Sequence, residues 1–238
     1  MDKSIIEKTI NEIILKNTDL ETKCRTSLNK KDKEVIAQFE QERDTYPTNR
    51  FSRLDLYNEH CEVQLEHSYT TPQKDVISYW GHNGYRRING KIYDTEDYHE
   101  AKEVYGFVSD EFEKELNEKI NHLQSAIDES PRVPNNTVTV RSGHWDRGHK
   151  EGDIIVQKGF ASTSYTDTVD ASGTDAEHSY EIKYYIPTGS KGLLLNPSQF
   201  SVMGEEELLL GKNTRQYVLN QDDDAQTVEV LILPDIEN

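Results

Sequence analysis

The 238-residue sequence contains only two cysteines, Cys24 and Cys61, which are too few for a disulfide framework and lack the spacing of a zinc site. It also lacks any run of about 20 apolar residues, so we expect no membrane-spanning segment. Residues 1–6 are not followed by the apolar stretch of a signal peptide. These absences predict a protein of a reducing compartment that acts in the cytosol of a bacterium or a host cell.

Positive charge is scarce, because 27 Lys and Arg stand against 44 Asp and Glu and give a formal net charge of -17 at pH 7. A surplus of negative charge repels the phosphates of nucleic acid, so a nucleic-acid partner is disfavoured. Hydrophobic residues make up 34% and aromatic residues 9% of the chain, enough for a buried core at this length. We therefore expect a folded, highly soluble protein.

The pattern of apolar residues changes near residue 136. Before it, helical spacing recurs over residues 4–45, 54–67, 73–81 and 108–128, with a break at Pro47 and a turn at residues 81–84. After it, alternation and β-branched residues predict strands over residues 137–140, 153–156, 182–186, 207–210, 216–219 and 228–233. Helices followed by strands indicate an α+β fold with a mixed or antiparallel sheet. We expect an N-terminal helical region over residues 1–50 and a main domain over residues 51–238, packed as one compact unit.

Three short motifs occur in order: Arg141-Ser142-Gly143, Ser162-Thr163-Ser164 and Glu205-Glu206-Glu207. Singly, each is typical of a surface loop or a strand end. In combination they resemble the arginine, Ser-Thr-Ser and Glu-x-Glu motifs of mono-ADP-ribosyltransferases of the clostridial binary-toxin type, a class that includes phage-encoded enzymes. The resemblance covers roughly residues 75–235 and includes the segment from Tyr79 to Asn89.

The resemblance implies an enzyme that breaks the glycosidic bond of NAD and transfers ADP-ribose to a protein side chain. It also implies two roughly perpendicular sheets with NAD in a central cleft. Arg141 would bind the pyrophosphate, because a guanidinium is a permanently charged fork of donors. Ser162 would orient the catalytic carboxylate of Glu207, which would stabilise the oxocarbenium-like ribosyl cation. Water could replace the acceptor, so slow NAD glycohydrolysis is also expected.

Other residues are expected around NAD. The resemblance places Ser142, Gly143, Thr163 and Ser164 along it, while Phe160 or Tyr165 could stack on the nicotinamide. Tyr79, Tyr85 and Asn89 could contact the adenosine or ribose, although half-buried packing is the more frequent role of such tyrosines and Asn89 is the weakest of the three candidates. No histidine has the spacing of a metal site, so we expect no catalytic metal.

Glu205 is predicted to meet the acceptor, because strand alternation places it on the same face as Glu207. A shift of one residue would put Glu206 there instead. A glutamate at this position is the family pattern for arginine acceptors, since a carboxylate pairs with a guanidinium. Phe200, in the loop before the glutamates, either contacts the target protein or anchors the loop in the core.

The expected partner is a target protein that bears an acceptor arginine. The sequence fits a phage protein, a toxin component with a separate carrier, or an injected effector. Two alternatives stay open: the same chemistry on another side chain or on a nucleic acid, and a non-catalytic docking domain.

Overall fold

The computed structural model describes residues 28–95, 99, 110–145, 148–166, 179–196, 198–200 and 206–235. Its helices are α1 (Lys30–Glu42), α2 (Arg50–Leu65), α3 (Thr71–Tyr79), α4 (Tyr85–Tyr93) and α5 (Asp110–Glu129). Its strands are β1 (Thr137–His144), β2 (Ile154–Gln157), β3 (Ala161–Ser164), β4 (Ser179–Ile186), β5 (Leu193–Leu195), β6 (Glu207–Leu210), β7 (Thr214–Asp222) and β8 (Thr227–Leu233). The predicted α+β order of helices followed by strands is confirmed.

The helices begin where the sequence supplies a cap. At α1, the Asn29 side chain accepts from the Asp32 N–H and the Asp32 carboxylate accepts from the Asn29 N–H, which forms a capping box. The predicted break at Pro47 lies between a 3₁₀ turn (Arg43–Thr45) and α2.

The turn predicted at residues 81–84 is wrong, because Trp80–Gly84 form a π-helical turn that continues directly into α4. A side chain at Gly84 would collide with the Tyr79 carbonyl and ring, so the missing Cβ is what permits this wide turn.

The strands form one eight-stranded sheet in the order β2-β7-β8-β4-β1-β3-β6-β5. All neighbours are antiparallel except β4 and β8. β1 pairs with β4 along its whole length but with β3 at a single position, Val140 opposite Ser164. The two predicted sheets are therefore halves of one sheet that are joined by a single bridge.

In the part of the chain that the structure describes, three apolar clusters hold the helices and the sheet together. The largest is formed by both halves of the sheet, for example Ile182 and Leu208, together with Tyr57 of α2. A second lies between α3, α5 and strands β5 and β6. In the third, Phe39 of α1 packs edge-on against Tyr185 of β4. Among the described residues no helix is long and apolar enough to cross a membrane.

A buried ion pair also joins α1 to the sheet. The two terminal guanidinium nitrogens of Arg215, Nη1 and Nη2, donate to the two carboxylate oxygens of Asp32, each at 2.7 Å. Asp32 is fully buried. Burial alone would raise the pKa of Asp32, but the hydrogen bonds from Arg215 and from the Asn29 backbone, together with the Arg215 charge, lower it below its usual value.

Candidate active site

Adjacent strands bring the predicted serines and Glu207 together. Ser164 pairs with Glu207 on β6 and with Val140 on β1, while Ser162 pairs with Leu209. Directly paired residues share a face of the sheet, and so do residues two apart on one strand. Ser162, Ser164 and Glu207 therefore lie on one face, with Ser162 diagonal to Glu207. Glu207 is only 9% exposed, so its carboxylate lies in surroundings of low dielectric constant.

Arg141 lies on the opposite face of the sheet, contrary to the expectation that it would join the serines and Glu207. Val140 pairs with Ser164, and alternation turns the next side chain away. Arg141 instead shares a face with its partner Ile182. Burial raises the pKa of Tyr184 on that face, and the charge of Arg141 opposes the rise. No hydrogen bond or ion pair of the Arg141 side chain is found within the described part of the chain.

The end of β1 is nevertheless arranged around the Arg141 side chain. A Cβ at Gly143 would lie 3.4 Å from Nε of Arg141, so this side chain runs along the strand over the glycine. Beyond Val140, β1 has no further bridge to β3. Arg141, Ser142 and Gly143 thus border the point where the two halves of the sheet separate.

Helix α4 holds the start of β3 at this separation. Both amide atoms of Asn89 bind the backbone of Phe160, each at 3.0 Å, and the Tyr93 hydroxyl accepts from the Gly159 N–H at 2.9 Å. A Cβ at Gly159 would lie 2.7 Å from Oδ1 of Asn89, so only glycine permits this approach. Asn89, which we predicted to contact NAD, therefore has a structural role that the sequence did not reveal.

The predicted aromatic contacts are mostly part of the core. Phe160 and Tyr165 are 0% and 1% exposed, so neither presents a free ring for the nicotinamide. Phe200 is 4% exposed and packs against Tyr69, which favours the core-anchor alternative for this residue. Tyr85 is the exception, because 39% of its surface is accessible. Tyr79 is half-buried.

The two other serine-motif side chains have clear backbone partners. The Thr163 hydroxyl is buried and donates to the Leu208 carbonyl at 2.9 Å, which stabilises the β3–β6 pair. Oγ of Ser164 accepts from the Thr166 N–H at 3.1 Å. Thr163 thus holds the strand pair together and presents no free hydroxyl to NAD, whereas Ser164 fixes the residue that follows the strand.

The alternation that selected Glu205 does not extend that far. Strand β6 begins at Glu207, and Glu206 has φ 45°, in the left-handed region. The Glu206 carboxylate accepts from the Thr166 hydroxyl at 3.2 Å. The face of Glu205 consequently cannot be derived from Glu207 by alternation, and Glu205 itself lies outside the described residues.

Helix α2 contributes polar groups that the sequence analysis missed. Its buried residues are Arg53, Tyr57, His60 and Gln64, at helical spacing. His60 is fully buried, and its Nδ1 lies 3.0 Å from the Tyr165 hydroxyl. The only sign of this buried face in the sequence is the helical spacing of these polar residues, which the pattern of apolar residues does not reveal.

A cavity of about 250 Å³ opens on the same face of the sheet as Ser164 and Glu207. It begins at Val140, which pairs with Ser164, so it adjoins the candidate site. Its lining residues are Thr48, Arg53, Val138, Val140, Glu181, Lys183, Tyr185 and Glu229. Within the described ranges, no three His, Cys, Asp or Glu residues come together as a metal site.

The fold is that of the ADP-ribosyltransferase toxins. C3stau2 from S. aureus, solved with NAD, has a TM-score of 0.57 at 15% identity and covers 80% of this chain and 98% of its own. Plx2a, a toxin from Paenibacillus larvae, has a TM-score of 0.58 at 16% identity, covering 76% and 96%. The ADP-ribosyltransferase Vis, in complex with agmatine, has a TM-score of 0.55 at 14% identity, covering 78% and 86%.

The family of the chain follows from the match of its sequence to a family profile. The profile of the ADP-ribosyltransferase exoenzymes matches residues 54–233, so the chain belongs to this family. No curated protein matches the sequence. The matched range includes all three predicted motifs and most of helix α2, but not α1.

Proposed function

We propose that this protein is a mono-ADP-ribosyltransferase that transfers ADP-ribose from NAD to an arginine of a target protein. The observation that carries the proposal is the placement of Ser162, Ser164 and the buried Glu207 on one face of two adjacent strands, in a chain of the exoenzyme family. The bond between nicotinamide and the ribose breaks, and its electron pair leaves with the nicotinamide. The acceptor nitrogen then bonds to the same ribose carbon and loses a proton.

Glu207 would stabilise the positive charge that develops on the ribose. A carboxylate in a buried setting interacts more strongly with this charge than one in water. A single preorganised group of this kind contributes about 3 to 4 kcal/mol to the barrier. Ser162, diagonal to Glu207 on the same face, would orient the carboxylate by a hydrogen bond.

Arg141 remains our candidate for the pyrophosphate, but it has to reach NAD around the end of β1. The open edge beyond Val140 and the glycine at position 143 support this route. Ser142, on the face of the serines, and Tyr85, which is exposed, are the other described candidates for NAD contacts. No metal takes part in the proposed reaction.

An arginine acceptor is favoured by the glutamate at position 205. The structure of Vis with agmatine, a small molecule with a guanidinium group, supports arginine chemistry in a protein of this fold. Without an acceptor, water would attack the ribose, so the protein should also hydrolyse NAD slowly. We further propose that residues 51–238 form the catalytic domain and that the target lies in a bacterial or host cytosol, reached with or without a delivery component.

The test compares wild type, Glu207→Gln and the control Glu118→Gln, an exposed glutamate on α5, with labelled NAD and a cell lysate. We expect Glu207→Gln to release nicotinamide about 100- to 1,000-fold more slowly while it binds NAD as wild type does. Label on arginine only in the wild-type and control lanes supports the full proposal. Label on another residue or on nucleic acid removes the arginine assignment. A folded wild type that binds no NAD would indicate a docking domain.

A further inference from the structure

A side-chain hydrogen bond ties the end of β3 to the start of β6. The Thr166 hydroxyl donates to the Glu206 carboxylate at 3.2 Å. One residue earlier, the Tyr165 N–H donates to the Glu206 carbonyl at 3.0 Å. The ladder that pairs Ser164 with Glu207 is therefore prolonged by one backbone bond and one side-chain bond.

Thr166 is held from two further directions. Its N–H donates to Oγ of Ser164 at 3.1 Å, and its carbonyl accepts from the Arg53 guanidinium at 2.8 Å. Thr166 is 7% and Arg53 is 8% exposed. Because the backbone of Thr166 is held on both sides, its side chain loses little conformational entropy when the hydroxyl bonds to Glu206. This hydroxyl can therefore hold the Glu206 carboxylate in place.

Glu206 adopts a backbone conformation that is unfavourable for a glutamate. Its φ of 45° lies in the left-handed region, which is costly for a residue with a Cβ because the Cβ crowds the following carbonyl oxygen. Glycine or asparagine would adopt it more easily. The carboxylate bond to Thr166 offsets this cost and sets the direction in which the chain enters β6 at Glu207.

We propose that Thr166 and Glu206 are positioning residues that hold the Glu207 carboxylate in register with Ser162 for NAD cleavage. This assignment rests on the proposed function. It gives Glu206 a role within the protein, in place of the acceptor contact that a one-residue shift of register would predict. Arg53 and Ser164 support the pair through Thr166.

The test uses Thr166→Val, which removes the hydroxyl at nearly constant shape, and Thr166→Ser, which restores it. Glu206→Gly removes the carboxylate while it permits the left-handed backbone. We expect Thr166→Val and Glu206→Gly each to lower kcat for nicotinamide release at least about fivefold, the equivalent of one net hydrogen bond. The KM for NAD should stay within about twofold, and Thr166→Ser should retain near wild-type kcat. The double variant should lose no more than the worse single variant.

Several outcomes overturn the assignment. Variants with a lower melting temperature but unchanged kcat would show a purely structural bond, and losses that multiply in the double variant would show two independent roles. If Glu206→Gly does not fold, the Thr166→Val and Thr166→Ser pair decides alone. A wild type without NAD binding or turnover would overturn the proposed function and this assignment together, whereas an active wild type with fully active variants overturns only the assignment.

Discussion

The buried His60 should make the protein sensitive to mild acid. Burial lowers the pKa of His60 from 6.5 to about 4, and Nε2 has no hydrogen-bond partner in the described part of the chain. Because the folded-state pKa of His60 lies below the unfolded-state value, the unfolded chain binds more protons than the folded protein does between pH 6.5 and 4. The contribution of neutral His60 to the free energy of unfolding is fully present above pH 6.5 and is lost as the pH decreases towards 4. The full loss is about 3 kcal/mol, of which about 2 kcal/mol is reached at pH 5.

The matched variant is His60→Asn, whose amide can replace Nδ1 at the Tyr165 hydroxyl but does not titrate. The free energy of unfolding, measured by urea denaturation at pH 7 and pH 5, should fall by about 2 kcal/mol more in wild type than in the variant. The absolute stability of the variant is not decisive, since the substitution also removes buried volume. Equal pH dependence of the two proteins would refute a neutral, buried His60.

Two further substitutions test the packing. Asp32→Asn should lower the free energy of unfolding by about 3 kcal/mol or more, because it leaves the charge of Arg215 buried without its partner. The control is Glu34→Gln, an exposed residue of the same helix, and equal urea midpoints would contradict the ion pair. Gly159→Ala should destabilise by about 1 to 3 kcal/mol, because its Cβ would meet the Tyr93 ring at 2.5 Å. Tyr93→Ala should recover part of that loss in the double variant, and an unchanged thermal midpoint for Gly159→Ala would disprove the close approach.

The longer elements could be predicted from the sequence because their periodicity is carried by many residues. Helix α5 was expected over residues 108–128 and extends over Asp110–Glu129, and β8 was expected over residues 228–233 and extends over Thr227–Leu233. β5 has only three residues and was not predicted. Such a strand is too short to show alternation, and its conformation depends on its partner β6.

The residues of the candidate site were proposed from the resemblance, but their relative placement depends on strand pairing that the sequence does not show. Ser162, Ser164 and Glu207 share a face because β3 and β6 pair in one particular register. A shift of one residue would separate them, and no local pattern fixes that register. The same dependence explains Arg141. It was expected at the end of a strand over residues 137–140, but β1 continues to His144, and the face of Arg141 is set by the single bridge between Val140 and Ser164.

Helix α2 connects the stability of the fold with the candidate site. His60 and Arg53 contact the two residues that follow β3, Tyr165 and Thr166, and the Gln64 amide binds both backbone groups of Leu194 on the edge strand β5. A helix that packs through polar groups fixes strands in direction as well as in distance, because hydrogen bonds are directional. Protonation of His60 would place a charge directly against the end of the serine strand. Because the folded-state pKa of His60 is about 4, the folded protein keeps this residue neutral above that pH, so nicotinamide release should decline together with the cooperative loss of helix signal and not before it.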